Sequence, residues 1–126
     1  LVCIDDPEAR LATGMRDDPI ENVIGQGLVS KILCRHFLVT HGRFGSAYCD
    51  HELFGVAPAF VAGGVDTLGA GDAVMATVAP LVAVGLPLEM AAFAGNIAGA
   101  IKTSIIGHRN HVTRQAMVQQ LEALLA

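Results

Sequence analysis

A glycine-rich segment in the middle of the chain has the composition of an anion-binding loop. Residues 65–73 read Val-Asp-Thr-Leu-Gly-Ala-Gly-Asp-Ala, and an apolar stretch that is predicted to be helical, residues 73–84, follows at once. Gly69, Ala70 and Gly71 carry almost no side-chain bulk, so the backbone can approach a phosphate closely and direct its N–H groups toward it. The positive end of the following helix faces the same point, which favours bound anions.

Asp72, at the beginning of that predicted helix, is the residue of this segment that could do acid–base chemistry. One interpretation is a plain N-cap, because glycine loops before helices are common. Beside a bound phosphate, however, the carboxylate would face another anion. That arrangement makes sense if Asp72 accepts a proton from an attacking hydroxyl.

The segments that must position this loop are typical of a layered α/β domain. Apolar runs predict buried strands at residues 1–4 and 36–40, and shorter strands at residues 46–49 and 52–56 could form a hairpin. Residues 88–103 form a second apolar helical stretch.

Capping patterns predict where several helices begin. Asp18, Pro19 and Glu21 indicate a helix with Asp18 as its N-cap and Pro19 at the first helical position. Thr113 is predicted to cap a final helix. Pro80 is expected to kink the helix that follows the glycine-rich loop.

Composition limits the classes of function. The chain has 126 residues, 52% of them apolar and 16% charged, which indicates one domain or part of one and argues against disorder. The net charge of −4 and the lack of a basic stripe argue against a nucleic-acid partner. The three cysteines show no CxxC spacing, so a reducing, cytoplasmic environment is expected.

A membrane hairpin is the competing interpretation of residues 73–101, which are nearly uncharged and contain Gly95-xxx-Gly99. The stretch is interrupted by four residues that disfavour a membrane span: Pro80, Gly85, Pro87 and Glu89. Helices buried against a sheet have the same composition, so we expect no membrane partner.

The string DTxGAGDA at residues 66–73 closely resembles the C-terminal signature of the ribokinase/PfkB carbohydrate kinase family. The resemblance implies a ribokinase-like, three-layer α/β/α sandwich. It also implies ATP-dependent phosphoryl transfer to a hydroxyl of a sugar or sugar-like small molecule. Asp72 would be the catalytic base, and Gly69, Ala70 and Gly71 would form the anion hole.

A second string, Asp5-Asp6-Pro7-Glu8, corresponds to an Asn-x-x-Glu box that organises Mg²⁺ and phosphates in that family. Glu8 matches the pattern and is the implied Mg²⁺ residue, whereas Asp5 replaces the expected Asn. Asp5 still offers an acceptor for metal-bound water, but it adds a negative charge near the phosphates and lacks an N–H donor. The alternative is a solvated helix N-terminus with favourable acidic residues.

Two further segments resemble nucleotide-contacting parts of the family. Thr40, Gly42 and Gly45 fit a Thr-x-Gly-x-x-Gly loop after a strand, although a plain hairpin turn is the alternative. Asn96, which is polar within an apolar helix, corresponds to a helix that borders the adenosine. Such a residue needs a hydrogen-bond partner, and both the nucleotide and a neighbouring backbone group are candidates.

Two other groups of residues are candidates for binding metal ions other than Mg²⁺. Asp66, Leu68 and the Gly107 region correspond to the place where many family members hold a monovalent cation such as K⁺, and a turn-stabilising Asp66 is the alternative. His108 and His111 are spaced as a possible metal pair, but without a third ligand a solvated pair is favoured.

The resemblance covers the chain in order but only the second half of a family member. Residues 1–126 are therefore predicted to be the C-terminal nucleotide-binding half of a kinase domain, inactive alone and able to form a homodimer through exposed apolar surface. Leu1, which opens an apolar run without a preceding Met, agrees with a fragment. The alternative function is a nucleotide-binding pseudokinase or regulatory module, which Asp72 disfavours and Asp5 mildly favours.

Overall fold

The computed structural model describes residues 1–60, 66–107 and 109–126. A four-stranded sheet has the order β1 (Val2–Asp5), β2 (His36–Thr40), β3 (Ser46–Asp50) and β4 (Leu53–Ala57). β1 and β2 are parallel, while β2, β3 and β4 form an antiparallel meander. Val65, which begins the glycine-rich segment, and His108 lie outside the described residues.

Helical segments surround this sheet. They are α1 (Asp6–Thr13), α2 (Ile20–Asn22), a π-helical turn (Val23–Leu28), α3 (Val29–Lys31), a 3₁₀ turn (Gly42–Phe44), α4 (Ala70–Ala83), α5 (Leu88–Thr103) and α6 (Arg114–Leu125). In this described part of the chain, no helix has both the length and the apolar content that crossing a bilayer requires.

The alternation of side chains along β2 separates the two cores of the domain. Phe37 and Val39 pack into a core with Ala9, Ile24 and other residues of the first helices. Leu38, between them, points into a second core formed mainly by α4 and α5. Because successive strand residues face opposite sides of a sheet, the helices lie on both faces, which confirms the predicted three-layer arrangement.

The predicted helix start, with Asp18 as N-cap and Pro19 as the first helical residue, is wrong by one residue. α2 begins at Ile20, and Pro19 precedes it in an extended conformation without a side-chain cap. The Asp18 carbonyl instead accepts a hydrogen bond of 2.8 Å from the Arg10 guanidinium. Asp18 is thus held by a backbone contact with Arg10 of α1 and does not form the side-chain cap that the sequence pattern predicted.

The helices around the glycine-rich loop agree more closely with expectation. α5 spans the predicted residues, and the Thr113 hydroxyl accepts a hydrogen bond from the Ala116 N–H at 3.1 Å, which confirms it as the N-cap of α6. α4 begins at Ala70 and not at Ala73. Asp72 therefore lies within the first helical turn.

Candidate active site

The glycine-rich loop turns directly into α4. Gly69 precedes the helix with φ of +77°, a left-handed conformation that suits a residue without a Cβ. Ala70 and Gly71 open the helix, and the Ala70 N–H donates to the Thr67 carbonyl at 3.2 Å. The N–H groups in the first turn of a helix have no partner within it, so this end of α4 can receive an anion.

A cavity of about 660 Å³ lies on one side of this helix end. It brings together predicted site residues from four separate segments: Asp5, Thr40, Gly42, Gly45, Ala70, Gly71 and Asn96. β1 and β2 are parallel, so the loops that follow them emerge at the same sheet edge, where ligands of α/β domains bind.

A second cavity, of about 460 Å³, lies on the other side of the same helix end. Gly69 and the exposed side chain of Asp72 line it, together with Lys102, Arg109 and His111. The residues predicted to act as anion hole and base are thus divided between two cavities, and the first turn of α4 is their common wall.

Asp5 and Glu8 form a capping box at the beginning of α1. The Glu8 N–H donates to the Asp5 carboxylate at 2.8 Å, and the Asp5 N–H reaches the Glu8 carboxylate at 3.4 Å. Asp5 lines the larger cavity, and Glu8 lies one helical turn further along α1. Both side chains therefore have a helix-terminal role, and their contacts with phosphates and Mg²⁺ remain a prediction.

The exposed carboxylates of Asp5 and Glu8 are hard oxygen donors, which suit Mg²⁺. Across the residues that the structure describes, no cluster of three or more His, Cys, Asp or Glu side chains is arranged to hold a metal. These residues fit a magnesium ion that is held largely by ligand phosphates and waters, as is usual for Mg²⁺.

The loop between β2 and β3 is both a hairpin connection and a wall of the larger cavity. Gly45 has φ of +88°, and a Cβ on it would lie 2.1 Å from the Ala57 carbonyl oxygen. The His41 N–H donates to the Gly45 carbonyl at 2.8 Å, which closes the loop. Glycine at position 45 is therefore required by the backbone itself, whether or not a nucleotide binds there.

A charged pair under this loop was not among the predicted site residues. Asp6 is buried, its carboxylate accepts a hydrogen bond of 2.9 Å from Arg10, and His41 Nε2 lies 3.6 Å from its other oxygen. The four-residue spacing of Asp6 and Arg10 on a helix was a usable signal. The contact with His41 depends on the pairing of β1 with β2 and left no local pattern.

Asn96 has its hydrogen-bond partners in the protein. Its Nδ2 donates to the carbonyls of Ala57 at 3.1 Å and Pro58 at 2.8 Å, and its Oδ1 accepts from the Ser46 hydroxyl at 3.1 Å. Of the two partners that the sequence left open, the structure therefore contains the backbone. The side chain also borders the larger cavity, and its contact with a nucleotide remains a prediction.

Asp66 stabilises two turns at the back of the glycine-rich loop. Its carboxylate accepts from the N–H groups of Leu68 and Gly107, both at 2.9 Å, and its own N–H donates to the Thr103 carbonyl at 3.1 Å. Lys102, which was not predicted as a site residue, is buried and donates to the Gly107 carbonyl. A lysine in an otherwise apolar helix was the sequence signal for it.

These contacts bear on the two weaker metal predictions. The Gly107 carbonyl already accepts a hydrogen bond from the Lys102 ammonium, and a K⁺ on the same oxygen would lie beside that like charge, so this region does not fit a bound K⁺. The proposed pair of His108 and His111 includes a residue outside the described part of the chain.

Comparison with known proteins agrees with this fold and identifies the family. A family model described as pfkB family carbohydrate kinase matches residues 1–114, so the chain belongs to that family. No curated protein sequence matches it significantly.

Solved structures confirm the ribokinase-like fold. A ribokinase from Thermotoga maritima is 21% identical with a TM-score of 0.81, and the match covers 94% of this chain and 40% of that one. A ribokinase from Arabidopsis thaliana, solved with ribose and ATP, is 24% identical with a TM-score of 0.81 and the same coverage. An adenosine kinase from Sinorhizobium meliloti is 27% identical with a TM-score of 0.77, covering 95% of this chain and 35% of that one. The chain thus spans about two-fifths of the length of these proteins.

Proposed function

We propose that this chain is the C-terminal, nucleotide-binding part of a kinase that transfers the γ-phosphoryl group of ATP to a hydroxyl of a sugar or sugar-like molecule. One observation carries the proposal: the first turn of α4 separates two cavities. Ala70 and Gly71 line the larger one, and Gly69 and Asp72 line the smaller one.

In this proposal the larger cavity holds the nucleotide, and its phosphates point at the beginning of α4. Backbone N–H groups of Gly69 and Gly71 stabilise the charge that develops on the transferring phosphoryl group, whereas the Ala70 N–H donates to the Thr67 carbonyl and holds the loop. Asp72 faces the smaller cavity, where it orients the acceptor hydroxyl and takes its proton. The helix end thus places the donor and the acceptor on opposite sides of the reacting phosphorus, and most of the rate gain comes from this positioning.

The remaining predicted residues support the nucleotide. Thr40, Gly42 and Gly45 border the larger cavity with backbone that can approach a ligand closely. Asp5 lines this cavity, and Glu8, one helical turn further along α1, helps to hold a magnesium ion through its waters. That ion would supply shielding of the phosphate charge. ATP as the phosphate donor is supported by the related ribokinase that was solved with ribose and ATP.

The isolated 126 residues are expected to bind nucleotide without appreciable turnover. The smaller cavity is open, and the chain spans only about two-fifths of its solved relatives. Sugar-contacting residues would then come from sequence that this chain does not contain.

A nucleotide-binding pseudokinase or regulatory module is the second candidate. The observation that favours it is Asp5, whose carboxylate takes the place of a neutral Asn and would repel phosphates. Asp72, exposed in the smaller cavity, is the observation against it.

The test is ATP turnover by the complete protein that carries this chain, with a panel of sugars, sugar phosphates and nucleosides. We expect acceptor-dependent phosphorylation that falls by about 10²- to 10⁴-fold in Asp72→Asn, the usual contribution of a general base. ATP affinity should be unchanged in that variant. Asp17→Asn, the same chemical change at an exposed residue outside both cavities, is the matched control and should leave turnover unchanged.

Each departure from this result has a distinct meaning. Nucleotide binding without turnover of any acceptor would favour the regulatory module. Full turnover by Asp72→Asn would show that Asp72 is not the catalytic base, although the protein would still be a kinase. A complete lack of ATP binding would refute the assignment of the larger cavity.

A further inference from the structure

A buried lysine lies behind the glycine-rich loop. Lys102 is only 7% exposed, although it stands in the last turn of α5 next to the open, smaller cavity. Lysine is almost never buried unless its ammonium is paired. Its place in the last turn of a helix is favourable, because the exposed carbonyls there carry partial negative charge.

Gly107 is the residue through which this ammonium is held. Its carbonyl accepts a hydrogen bond from Lys102 Nζ, and its N–H donates to the Asp66 carboxylate at 2.9 Å. The Gly107 peptide unit is thus fixed by a cation at its oxygen and by an anion at its nitrogen. φ of +60° at Gly107 is the conformation that permits this geometry without strain.

The same lysine packs against the predicted anion hole. A Cβ built on Gly69 would lie 3.2 Å from Lys102 Cε, so the charged end of the side chain is next to the loop. Asp66 is joined to that loop through the Leu68 N–H. The ammonium, the carboxylate and the backbone of the loop form one connected unit.

We propose that the Lys102 ammonium is a built-in cation that takes the place of a bound monovalent cation behind the anion hole. The proposal rests on the proposed kinase function. A K⁺ ion bound to the Gly107 carbonyl and the Asp66 oxygens would lie beside the Lys102 ammonium, which donates to the same Gly107 carbonyl, and the two like charges would repel. It would also have to displace a buried ammonium, which is costly because that charge would lose its partner.

Lys102 acts as a positioning residue in this scheme. Its charge favours anions at the beginning of α4, and its hydrogen bond fixes the turn from which Asp66 holds the loop. Phosphoryl transfer should therefore be independent of the potassium concentration. A covalently attached cation cannot dissociate, whereas a bound ion could be lost at low salt.

The test compares wild type, Lys102→Ala and Lys102→Met in the complete protein. Thermal unfolding and turnover are measured in N-methylglucamine chloride, KCl and methylammonium chloride at equal ionic strength. Ala leaves space for an ion or a small amine, whereas Met fills the space without a charge.

We expect the wild type to have the same Tm and turnover in all three salts. Turnover by Lys102→Ala in N-methylglucamine chloride should fall by about 10- to 100-fold. This is the usual effect of removing a residue that holds the ligand-contacting groups in place without touching the ligand. KCl or methylammonium should restore part of its Tm and turnover. Lys102→Met should be impaired equally in every salt.

A K⁺-specific rise in the Tm or turnover of the wild type would overturn the proposal. An Ala variant that no cation improves would overturn it too, since Lys102 would then only hold the turn in place. If both variants fail to fold, the wild-type Tm and turnover in the three salts remain as the test, and a K⁺-specific rise in either would overturn the proposal. The Tm needs no acceptor, so cation-dependent melting of the Ala variant in a protein without turnover would support the role of Lys102 and refute the kinase function.

Discussion

The Asn96 amide donates to the carbonyl of Pro58 at 2.8 Å, which ties the middle of α5 to the segment that leaves β4. The same amide group bonds the Ala57 carbonyl at 3.1 Å, and the Ser46 hydroxyl bonds its oxygen. This polar junction is buried and forms part of the wall of the larger cavity. The shape of the proposed nucleotide site therefore depends on one side chain that links the sheet to a helix.

Removing this junction should destabilise the domain. In Asn96→Ala, two carbonyls and a hydroxyl lose their partner, and we expect the free energy of unfolding to fall by about 2 kcal/mol. Asn96→Asp should cost at least as much, because a carboxylate oxygen would then face the carbonyls of Ala57 and Pro58. Urea denaturation of the three proteins measures both effects.

Asn110→Ala is the matched control for this comparison, because Asn110 is exposed and its truncation should stay within about 0.5 kcal/mol of wild type. Equal stability of Asn96→Ala and Asn110→Ala would contradict the junction. A well-tolerated Asn96→Asp would mean that the amide nitrogen does not face the two carbonyls.

Local patterns predicted the parts of the molecule that short-range physics determines. The helix that begins at the glycine-rich loop, the Thr113 cap and the buried strand β2 all follow from residues close in sequence. The candidate site could be predicted because Gly69 to Asp72 combine small residues with a carboxylate at a helix start.

Contacts between distant segments were not predictable in the same way. Asn96 and Pro58 are 38 residues apart, so the choice between a backbone partner and a nucleotide could not be made from the sequence. Asp18 carried every feature of an N-cap, but its carbonyl accepts a hydrogen bond from Arg10 and the helix begins at Ile20, one residue later than predicted. Lys102 was missed because its partner, Gly107, lies beyond the end of the helix.

Gly45 should tolerate no side chain. Gly45→Ala forces φ of +88° on a residue with a Cβ and places that atom 2.1 Å from the Ala57 carbonyl oxygen. We expect a loss of stability of about 2 kcal/mol or more, together with weaker ATP binding, because the β2–β3 loop must move. Thermal unfolding and calorimetric titration with Mg·ATP measure the two losses.

Gly25→Ala supplies the control for that substitution, since it is the same chemical change at a helical position with no atom within 4 Å of the new Cβ. It should be neutral or slightly stabilising, because alanine favours helix over glycine. If both alanines proved equally harmless, the β2–β3 loop would not have the conformation described above.

Asp5→Asn separates the helix cap from the charge at the edge of the larger cavity. Asn keeps an oxygen that can accept the Glu8 N–H, so the stability should change by less than about 0.5 kcal/mol. It also removes a negative charge near the proposed phosphate site, so Mg·ATP should bind roughly two- to fivefold more tightly, as expected for one exposed charge. Asp5→Ala is the comparison variant, because it removes the same charge and also the helix cap. Its free energy of unfolding should fall by about 1 kcal/mol. Titration calorimetry and urea denaturation of both variants distinguish the two roles. Weaker Mg·ATP binding by Asp5→Asn would instead show that the carboxylate helps to hold the magnesium ion, and that its charge is part of the site.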